Sequence, residues 1–575
     1  MLTRLGWFVV RRRRLVLSFT VLFMVVAGVV GGGAFGVLKS AGFDDPSSES
    51  SRAEQLLEER FGGGDPNLVL VVSSRDGASV DDAAVAAAGT ELAGRLDGID
   101  GVEQVVSYWS LGGAESLRST DGDTALVLAR AVGDDEEVGL IAEEVKETLA
   151  GPQGDLDVLL GGQEAVFADV GSIIGGDLAR AELIAIPLTL LLLLFVFRGL
   201  VAASLPLLVG VIAVLGTLFS LFVIGSVTDV SIYAINLTTA LGLGLAIDYS
   251  LFIVSRFREE LGAGRTVEHA VVRTVETAGK TVLISALTVA ASLSALLVFP
   301  QYFLRSFAYS GVAVVLMALA GSMLSLTSLL AVVGHRIDSL RIGRARQVRA
   351  DQDGMWHRIA TFVMRRPLPI ALGVVAVLVV LGSPFLRVSF GTPDDRVLPT
   401  SATSRQASEV LRADFAGNSA ESFGVIADGV GAADTDRVVD IAATAATLSS
   451  MDGVARVDSA AGTFVGGTLA ATSDSDARFI ADDATWMSVV PTFAVASSRG
   501  EHLVKDIRAL DLPLDIAVEG QAASLVDTKA SMTERLPLAL AIIVIATFVL
   551  LFMLSGSILV PVKALILNFL SLTAT

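Results

Sequence analysis

Hydrophobic positions in this chain gather into long runs rather than into the short alternations of a water-soluble domain. Eight runs are largely free of charge: 15–38, 183–197, 200–224, 231–255, 281–299, 307–334, 367–386 and 536–554. They reach or approach the roughly 20 residues that a helix needs to cross a bilayer core of about 30 Å. The run 183–197 is the shortest, but four consecutive leucines, 191–194, make its centre strongly apolar, and it can lengthen backwards through 177–182. A ninth run begins at Ile558 and is still apolar at Thr575. Two long polar segments, 39–181 and 388–535, interrupt this pattern.

Inside those segments the periodicity changes. In the first, 67–73, 102–107, 124–131 and 156–160 read as strands, and 78–96 and 136–149 as helices. The order is βαββαβ, the split βαβ arrangement of ferredoxin-like domains. The second segment predicts the same order, with strands at 422–427, 454–458, 486–491 and 514–518 and helices at 433–448 and 497–510. Landmarks match as well. Gly162 and Gln163 lead to Asp169, and Gly520 and Gln521 lead to Asp527, an offset of 520 − 162 = 358. Ser51 and Arg52 lead to Leu57 and Phe61; Ser404 and Arg405 lead to Leu411 and Phe415, offsets of 353 and 354. A basic pair precedes each associated apolar run, Arg13 with Arg14 and Arg365 with Arg366. The sequence therefore predicts a parallel internal repeat, a design recurrent among transporters. Residue 575 corresponds to about residue 217 of the first half (575 − 358), so the second repeat is expected to be truncated in this chain.

Short basic loops set the orientation. Arg4 and 11–14 precede the first run. The loop 256–280 carries Arg256, Arg258, Arg265, Arg273 and Lys280, and the loop 335–366 carries eight arginines, among them Arg336, Arg341, Arg344, Arg346 and Arg349. Counting runs puts both loops and the N-terminus on the cytoplasmic side of an inner membrane, with Arg305 the exception. The expected layout is a cytoplasmic N-terminus and first span at 1–38, a first extracytoplasmic domain at 39–181 and spans two to six at 182–334. A cytoplasmic basic loop follows at 335–366, then a seventh span at 367–387, a second extracytoplasmic domain at 388–535, and an eighth and partial ninth span at 536–575. The basic start and apolar run of 1–38 resemble a signal peptide, but about 24 apolar residues are too many for one, which predicts an uncleaved anchor.

Composition agrees with this plan. The 575 residues are 53% hydrophobic and 18% charged, and mean hydropathy is +0.67, which argues against disorder and against a soluble enzyme. A net charge of −19 makes nucleic acid an unsuitable partner. With no cysteine, disulfides and thiolate metal sites are excluded. His269, His335, His357 and His502 lack metal-ligand spacing. The glycine runs 31–33 and 62–64 are not followed by Lys-Ser/Thr, so no P-loop is present and no cofactor is expected.

One ionisable group stands out. Asp248 is the only carboxylate well inside a run, seven residues from Ser255 or about 10 Å along a helix. A charge there costs roughly 2.5–3.5 kcal/mol on insertion scales, so it marks a proton or ion path by default. Loss of hydration favours the neutral carboxyl, which suits a group that takes up and releases a proton. The plainer alternative is a carboxylate that caps a neighbouring helix or pairs with Arg256. Tyr249 supplies a phenol beside it. Gly242 and Gly244 precede the pair, and Gly244 lies one turn before Asp248 on the same face, where small residues let another helix approach. Asn236, Thr238, Thr239, Ser250, Ser285 and Thr288 are further polar groups that either join a relay or serve helix packing. Lys563, near a cytoplasmic end, is expected to snorkel.

The stretch 236–261 reads Asn-Leu-Thr-Thr-Ala-Leu-Gly-Leu-Gly-Leu-Ala-Ile-Asp-Tyr-Ser-Leu-Phe-Ile-Val-Ser-Arg-Phe-Arg-Glu-Glu-Leu. With Gly279, Lys280, Thr281 and Val282 and the following Ser285 and Thr288, it resembles the MmpL family of resistance-nodulation-division transporters. The resemblance extends in organisation over the whole chain. It implies an α-helical polytopic membrane protein with two extracytoplasmic α/β domains of porter type. It also implies proton-driven export of lipids, lipid-linked metabolites or drugs, with Asp248 and Tyr249 as the relay pair and Asn236, Thr239, Ser285 and Thr288 as candidate neighbours. The family's second Asp-Tyr pair would fall near 248 + 358 = 606, so the missing second-half helices, from the same full-length chain or another subunit, are an implied partner. Membrane lipids and a hydrophobic substrate are the others. A monomer and a homo-oligomer both fit. The rival reading is a non-transporting lipid sensor or membrane scaffold of sterol-sensing type.

Overall fold

The computed structural model describes residues 1–39, 42–63, 66–133, 135–339, 355–384, 395–415, 422–429, 435–481, 483–495 and 497–572. The part of the basic loop that carries Arg341, Arg344, Arg346 and Arg349, the expected domain boundary at 387–388 and the end of the ninth run at Thr575 lie outside the described residues.

In chain order, α1 (Leu2–Arg11) and α2 (Arg13–Gly31) come first. The run 15–38, expected as one helix, tightens into a 3₁₀ turn over Gly32–Gly36 because consecutive glycines weaken the α-helix. Helix α3 (Glu49–Phe61) starts where Ser48 accepts a bond from the Ser51 N–H and stops at Gly62, whose φ of 69° suits only glycine well. Then come β1 (Leu68–Ser74), α4 (Ala83–Asp97), β2 (Val102–Ser107), β3 (Thr124–Ala131), α5 (Asp135–Leu149), β4 (Gly151–Gln153) and β5 (Leu156–Gly161). Five long helices follow: α6 (Gln163–Phe197), α7 (Leu200–Gly225), α8 (Ala234–Gly262), α9 (Val267–Ser294) and α10 (Tyr302–Ala320). A π-helical segment, Gly321–Leu326, joins α10 to α11 (Thr327–Val333). After α12 (Met355–Arg365) and α13 (Pro367–Gly382) come α14 (Thr403–Asp414), β6 (Phe423–Asp428), α15 (Thr435–Ser449) and β7 (Val454–Ser459). The chain continues through β8 (Gly462–Val465), β9 (Thr468–Ala471), β10 (Ile480–Ala481), β11 (Ala484–Pro491), α16 (Ser498–Arg508) and β12 (Ala517–Glu519). It closes with α17 (Gln521–Ser555) and α18 (Leu559–Leu572).

These elements form two compact units. The first comprises residues 1–38, 180–390 and 535–575 and is helical. Among the described residues, six helical stretches are long and apolar enough to cross a membrane: Arg13–Gly36, Leu200–Gly225, Ala234–Gly262, Val267–Val298, Tyr302–Asp338 and Gln521–Ser555. A seventh candidate is the pair α12 and α13, bent by 98° at Pro367; Leu183–Phe197 and Leu559–Ser571 are shorter apolar helices. Small residues set the helix contacts, as lipid-embedded packing favours. A Cβ on Gly31 would lie 2.9 Å from the Phe219 backbone, and one on Gly210 would lie 3.2 Å from Leu243.

The second unit comprises residues 39–179 and 391–534 and holds two antiparallel sheets. The first sheet runs β2-β3-β1-β5-β4, with the completely buried Leu68, Leu70 and Val72 of its central strand facing α4 and α5. The second runs β12-β6-β11-β7-β8-β9, with β10 paired to β11. The hairpin of β8 and β9 was not anticipated by the pattern. Its signal is the pair Gly466 and Gly467, both with positive φ (56° and 81°), between short strands.

The helices that cover these sheets are exchanged. Helix α3 packs on β6 and β12 of the second sheet, with Ala53 and Leu57 against Ile426 and Trp486. Helix α14 packs on β1 and β5 of the first, with Leu411 and Phe415 against Val69 and Val71. Each exchange is tied by a carboxylate, buried at Asp169 and half-buried at Asp527. Asp169 of α6 accepts from the Ser404 N–H (3.1 Å), Ser404 Oγ (2.6 Å) and Lys146 Nζ (2.5 Å). Asp527 of α17 accepts from the Ser50 N–H (2.9 Å) and from both Nη atoms of Arg508 (2.7 and 3.0 Å). The serine that answers Ser404 is thus Ser50, one residue before the expected Ser51. Arg508 Nε also donates to Glu49 at 3.0 Å.

Burial opposes ionisation of both carboxyls. The bonds from Lys146 and Ser404 at one, and from Arg508 and Ser50 at the other, outweigh it and hold both below the usual carboxylate range. Their contribution to stability is therefore complete above the unfolded-chain value, about pH 4 for Asp, and is lost as pH falls through the lowered native values. Thermal denaturation at stepped pH is expected to show an acid-dependent loss below about pH 4 that is smaller in the Asp169→Asn/Asp527→Asn double variant.

Candidate functional site

Helix α8 forms because 234–262 contains no proline and few β-branched residues in sequence, and because its apolar side chains pack against α7, α9 and α10. Its two sides differ. Ala246, Tyr249, Ser250 and Ile253 are buried in the helical core. The opposite side carries Ala240, Gly244, Asp248 and Phe252, spaced by four, all exposed. Asp248 is therefore not buried as expected. The helical repeat turns it about 100° away from Tyr249, out of the core that Tyr249 enters.

Around Asp248 the neighbouring helix is polar. Thr281 and Ser285 of α9 are exposed, and Thr288 is half-buried, all at spacings of three or four. Thr288 Oγ1 donates to the Ile284 carbonyl at 2.8 Å, a bond internal to its helix. The Tyr249 phenol is buried, and its oxygen has no hydrogen-bond partner among the described residues. Ser285 and Asp248 both lie close enough to act on it electrostatically, although Ser285 does not meet the geometry of a hydrogen bond. The structure thus brings Asp248, Tyr249 and Ser285 together.

It does not bring Asn236 and Thr239 to them. They lie 12 and 9 residues earlier, about 18 and 14 Å along the helix, and the Thr239 hydroxyl donates to the Asn236 carbonyl at 3.3 Å. Thr238 donates likewise to Ala234 at 3.0 Å. The alternative in which Arg256 pairs with Asp248 also finds no support, because Arg256 bonds Glu259 (2.8 Å) and Glu260 (2.5 Å).

The two glycines divide. A Cβ on Gly242 would come within 3.0 Å of Val314 and 3.3 Å of Val214, so this glycine seats α8 against α7 and α10. A Cβ on Gly244 would meet nothing within 4 Å among the described residues. Among the described residues, none comes within contact distance of that Cβ on the side Gly244 shares with Asp248.

Two features escaped the sequence reading. The π segment Gly321–Leu326 holds Ser322, whose buried hydroxyl has no partner among the described residues; π turns inside helices recur at functional sites. Its sequence sign was the run Gly-Ser-Met-Leu-Ser-Leu-Thr-Ser over 321–328, rich in small and hydroxylated residues. The second is the set of bonds that Asp169 and Asp527 make across the exchange, residues which the sequence marked only as repeat landmarks. Gly162 and Gly520 before them adopt φ of 99° and 102°, so both are left-handed turn glycines between strand and helix. Among the described residues no group of three His, Cys, Asp or Glu could hold a metal ion.

Comparison with known proteins gives four findings. Residues 42–370 match the MMPL family. A membrane protein of Streptomyces coelicolor is 33% identical over 579 residues, covering 100% of this chain and 76% of its own length. The trehalose monomycolate exporter MmpL3 of Mycolicibacterium smegmatis is 29% identical over 617 residues, covering 97% of this chain and 58% of the exporter. The mycolic acid-containing lipids exporter MmpL11 of the same species is 31% identical over 368 residues, 62% of this chain and 38% of the exporter. The chain thus spans less than two thirds of either exporter's length.

The glycine contrast predicts distinct stabilities. Gly242→Val is expected to lower the stability of the detergent-solubilised protein by about 1–3 kcal/mol through overpacking, whereas Gly244→Val leaves it unchanged. Melting curves of the two purified variants check this; equal losses contradict the assigned packing.

Proposed function

The chain belongs to the MMPL family, and from that membership we propose that it exports lipids or other hydrophobic small molecules across the cytoplasmic membrane, driven by the proton gradient. The observation that carries this reading is Asp248, an exposed carboxylate within an apolar helix, next in sequence to the buried Tyr249, near which Ser285 also lies. An isolated carboxylate at that depth is costly. Its cost has a use if the group alternates between a charged form and a neutral one. Tyr249 and Ser285 are then the nearby hydroxyls that pass its proton on.

The open face of Gly244, Asp248 and Phe252 beside the polar stripe of α9 is where further membrane helices would pack. In this reading they supply the companion acid, from a longer form of this chain or from another subunit. The N-terminus is cytoplasmic and the unit holding the two sheets is extracytoplasmic, as the basic loops require. In both sheets the order of the four main strands is last, first, third, second, which supports the ferredoxin-like, porter-type repeat. The names of the mycobacterial relatives support lipid export and do not favour the sensor or scaffold alternative.

Asp248→Asn tests the proposal. It keeps the side chain's shape and removes its titration. Export of lipid to the outer surface of intact cells is expected to fall to background while the amount of protein in the membrane is unchanged. Export at the parental rate with normal protein levels would falsify the assignment of Asp248.

A further inference from the structure

Asp169 and Asp527 take no part in the face around Asp248, yet each accepts three hydrogen bonds from other elements. Each sits near the start of a helix of 35 residues, α6 or α17, that continues unbroken from the sheet-bearing unit into an apolar run. Each bonds a segment from the other half of the sequence: Asp169 holds Ser404, and Asp527 holds Ser50. Those serines are the second residues of α14 and α3, where the straps that follow the seventh and first apolar runs end. The first strap is stitched along one side of α17. Asp44 meets Ser524, Ser50 meets Asp527, and Asp45 accepts from Ser531 at 2.6 Å, at spacings of three and four along that helix. The second strap lies along α6, with Leu398 and Ala402 against Val166 and Val170.

We propose that Asp169 and Asp527 are positioning residues of the transport cycle: each locks the outer end of one membrane-entering helix to the opposite half's strap, so that the two halves move as one mechanism. The proposal rests on the transport reading above. Apolar packing of α3 and α14 already holds the exchanged helices to their sheets, so adhesion alone does not require a buried ionic tie. Such a tie is a weak stabiliser, because desolvation offsets its Coulomb energy. What it adds is a fixed geometry. The fork of Arg508 binds Asp527 in a bidentate arrangement and fixes it in one orientation. Lys146 at Asp169 is a single point charge, and the two hydrogen bonds from Ser404 supply the direction instead. Two different solutions thus meet the same requirement at matching places.

The chain has no cysteine, which permits a clean covalent replacement. In the Asp169→Cys/Ser404→Cys variant, reduction leaves the tie open and oxidation closes it. Parent and variant are reconstituted in vesicles with an imposed pH gradient, and transfer of a fluorescent long-chain acyl lipid is followed. The reduced variant, with a parental melting profile, is expected to turn over several-fold more slowly than the parent at unchanged half-saturating lipid. Oxidation is expected to restore the parental rate. Parental turnover of the reduced form overturns the proposal. So does a folded, oxidised form that remains slow, or a reduced form that has lost its fold, because the tie is then merely structural. A parent that transfers no lipid overturns the transport reading itself, and this inference with it.

Discussion

A bilayer interior tolerates very few ways of carrying charge, and Asp248 stands on a helix of this protein that is long and apolar enough to cross one. Holding an aspartate within an apolar helix costs roughly 2.5–3.5 kcal/mol on insertion scales. Elsewhere the apolar runs comply with the bilayer: their polar backbone is satisfied within helices, and hydroxyls such as Thr217, Thr238 and Thr288 return their protons to a carbonyl one turn back. Asp248 does not comply. Its helix turns the buried face, with Tyr249 and Ser250, toward α7 and α10, and leaves the carboxyl on a side where Gly244 offers no cover. The polar stripe of Thr281 and Ser285 on α9 runs beside it. A local environment that is neither core nor lipid-like is what a reversible proton site requires.

The sheet-bearing unit meets a different constraint. A tandem chain could fold as two independent lobes. Here α3 covers the second sheet and α14 covers the first, so neither sheet completes its apolar face without the other half. The exchange uses ordinary hydrophobic contact for area and hydrogen-bonded carboxylates for register. Asp169 and Asp527 differ in their cationic partners but agree in capturing a backbone N–H and in lying near the start of a long helix. Intertwining of this kind makes the two halves one cooperative body.

Much of this was legible in the sequence, for physical reasons. Apolar runs of about 20 residues have few alternatives to a membrane helix, and short β-type runs such as 67–73 and 486–491 announced their strands. Asp248 was conspicuous because acids are expensive in such surroundings. The orientation of its side chain was not legible. Burial followed from the run being apolar, but a helix has sides, and only its neighbours decide which one is covered. Gly242 and Gly244 look alike in sequence and meet opposite environments. The exchange of α3 and α14 was likewise invisible, since local pattern carries no information on which of two similar sheets a helix will join. The hairpin of β8 and β9 was missed because its strands are four residues long and weakly apolar. The π segment was missed because serine and glycine in a membrane helix signal packing as readily as a distortion.

The central claim is that movement of lipid and movement of protons are one event passing through Asp248. The most direct measurement follows both at once in vesicles containing the purified protein, with a pH-sensitive dye trapped inside and a labelled acyl lipid added. The account predicts that lipid transfer dissipates an imposed pH gradient at a fixed ratio, and that Asp248→Asn abolishes both fluxes together. Lipid transfer that proceeds at the same rate without a gradient, or that leaves the gradient intact, would contradict it.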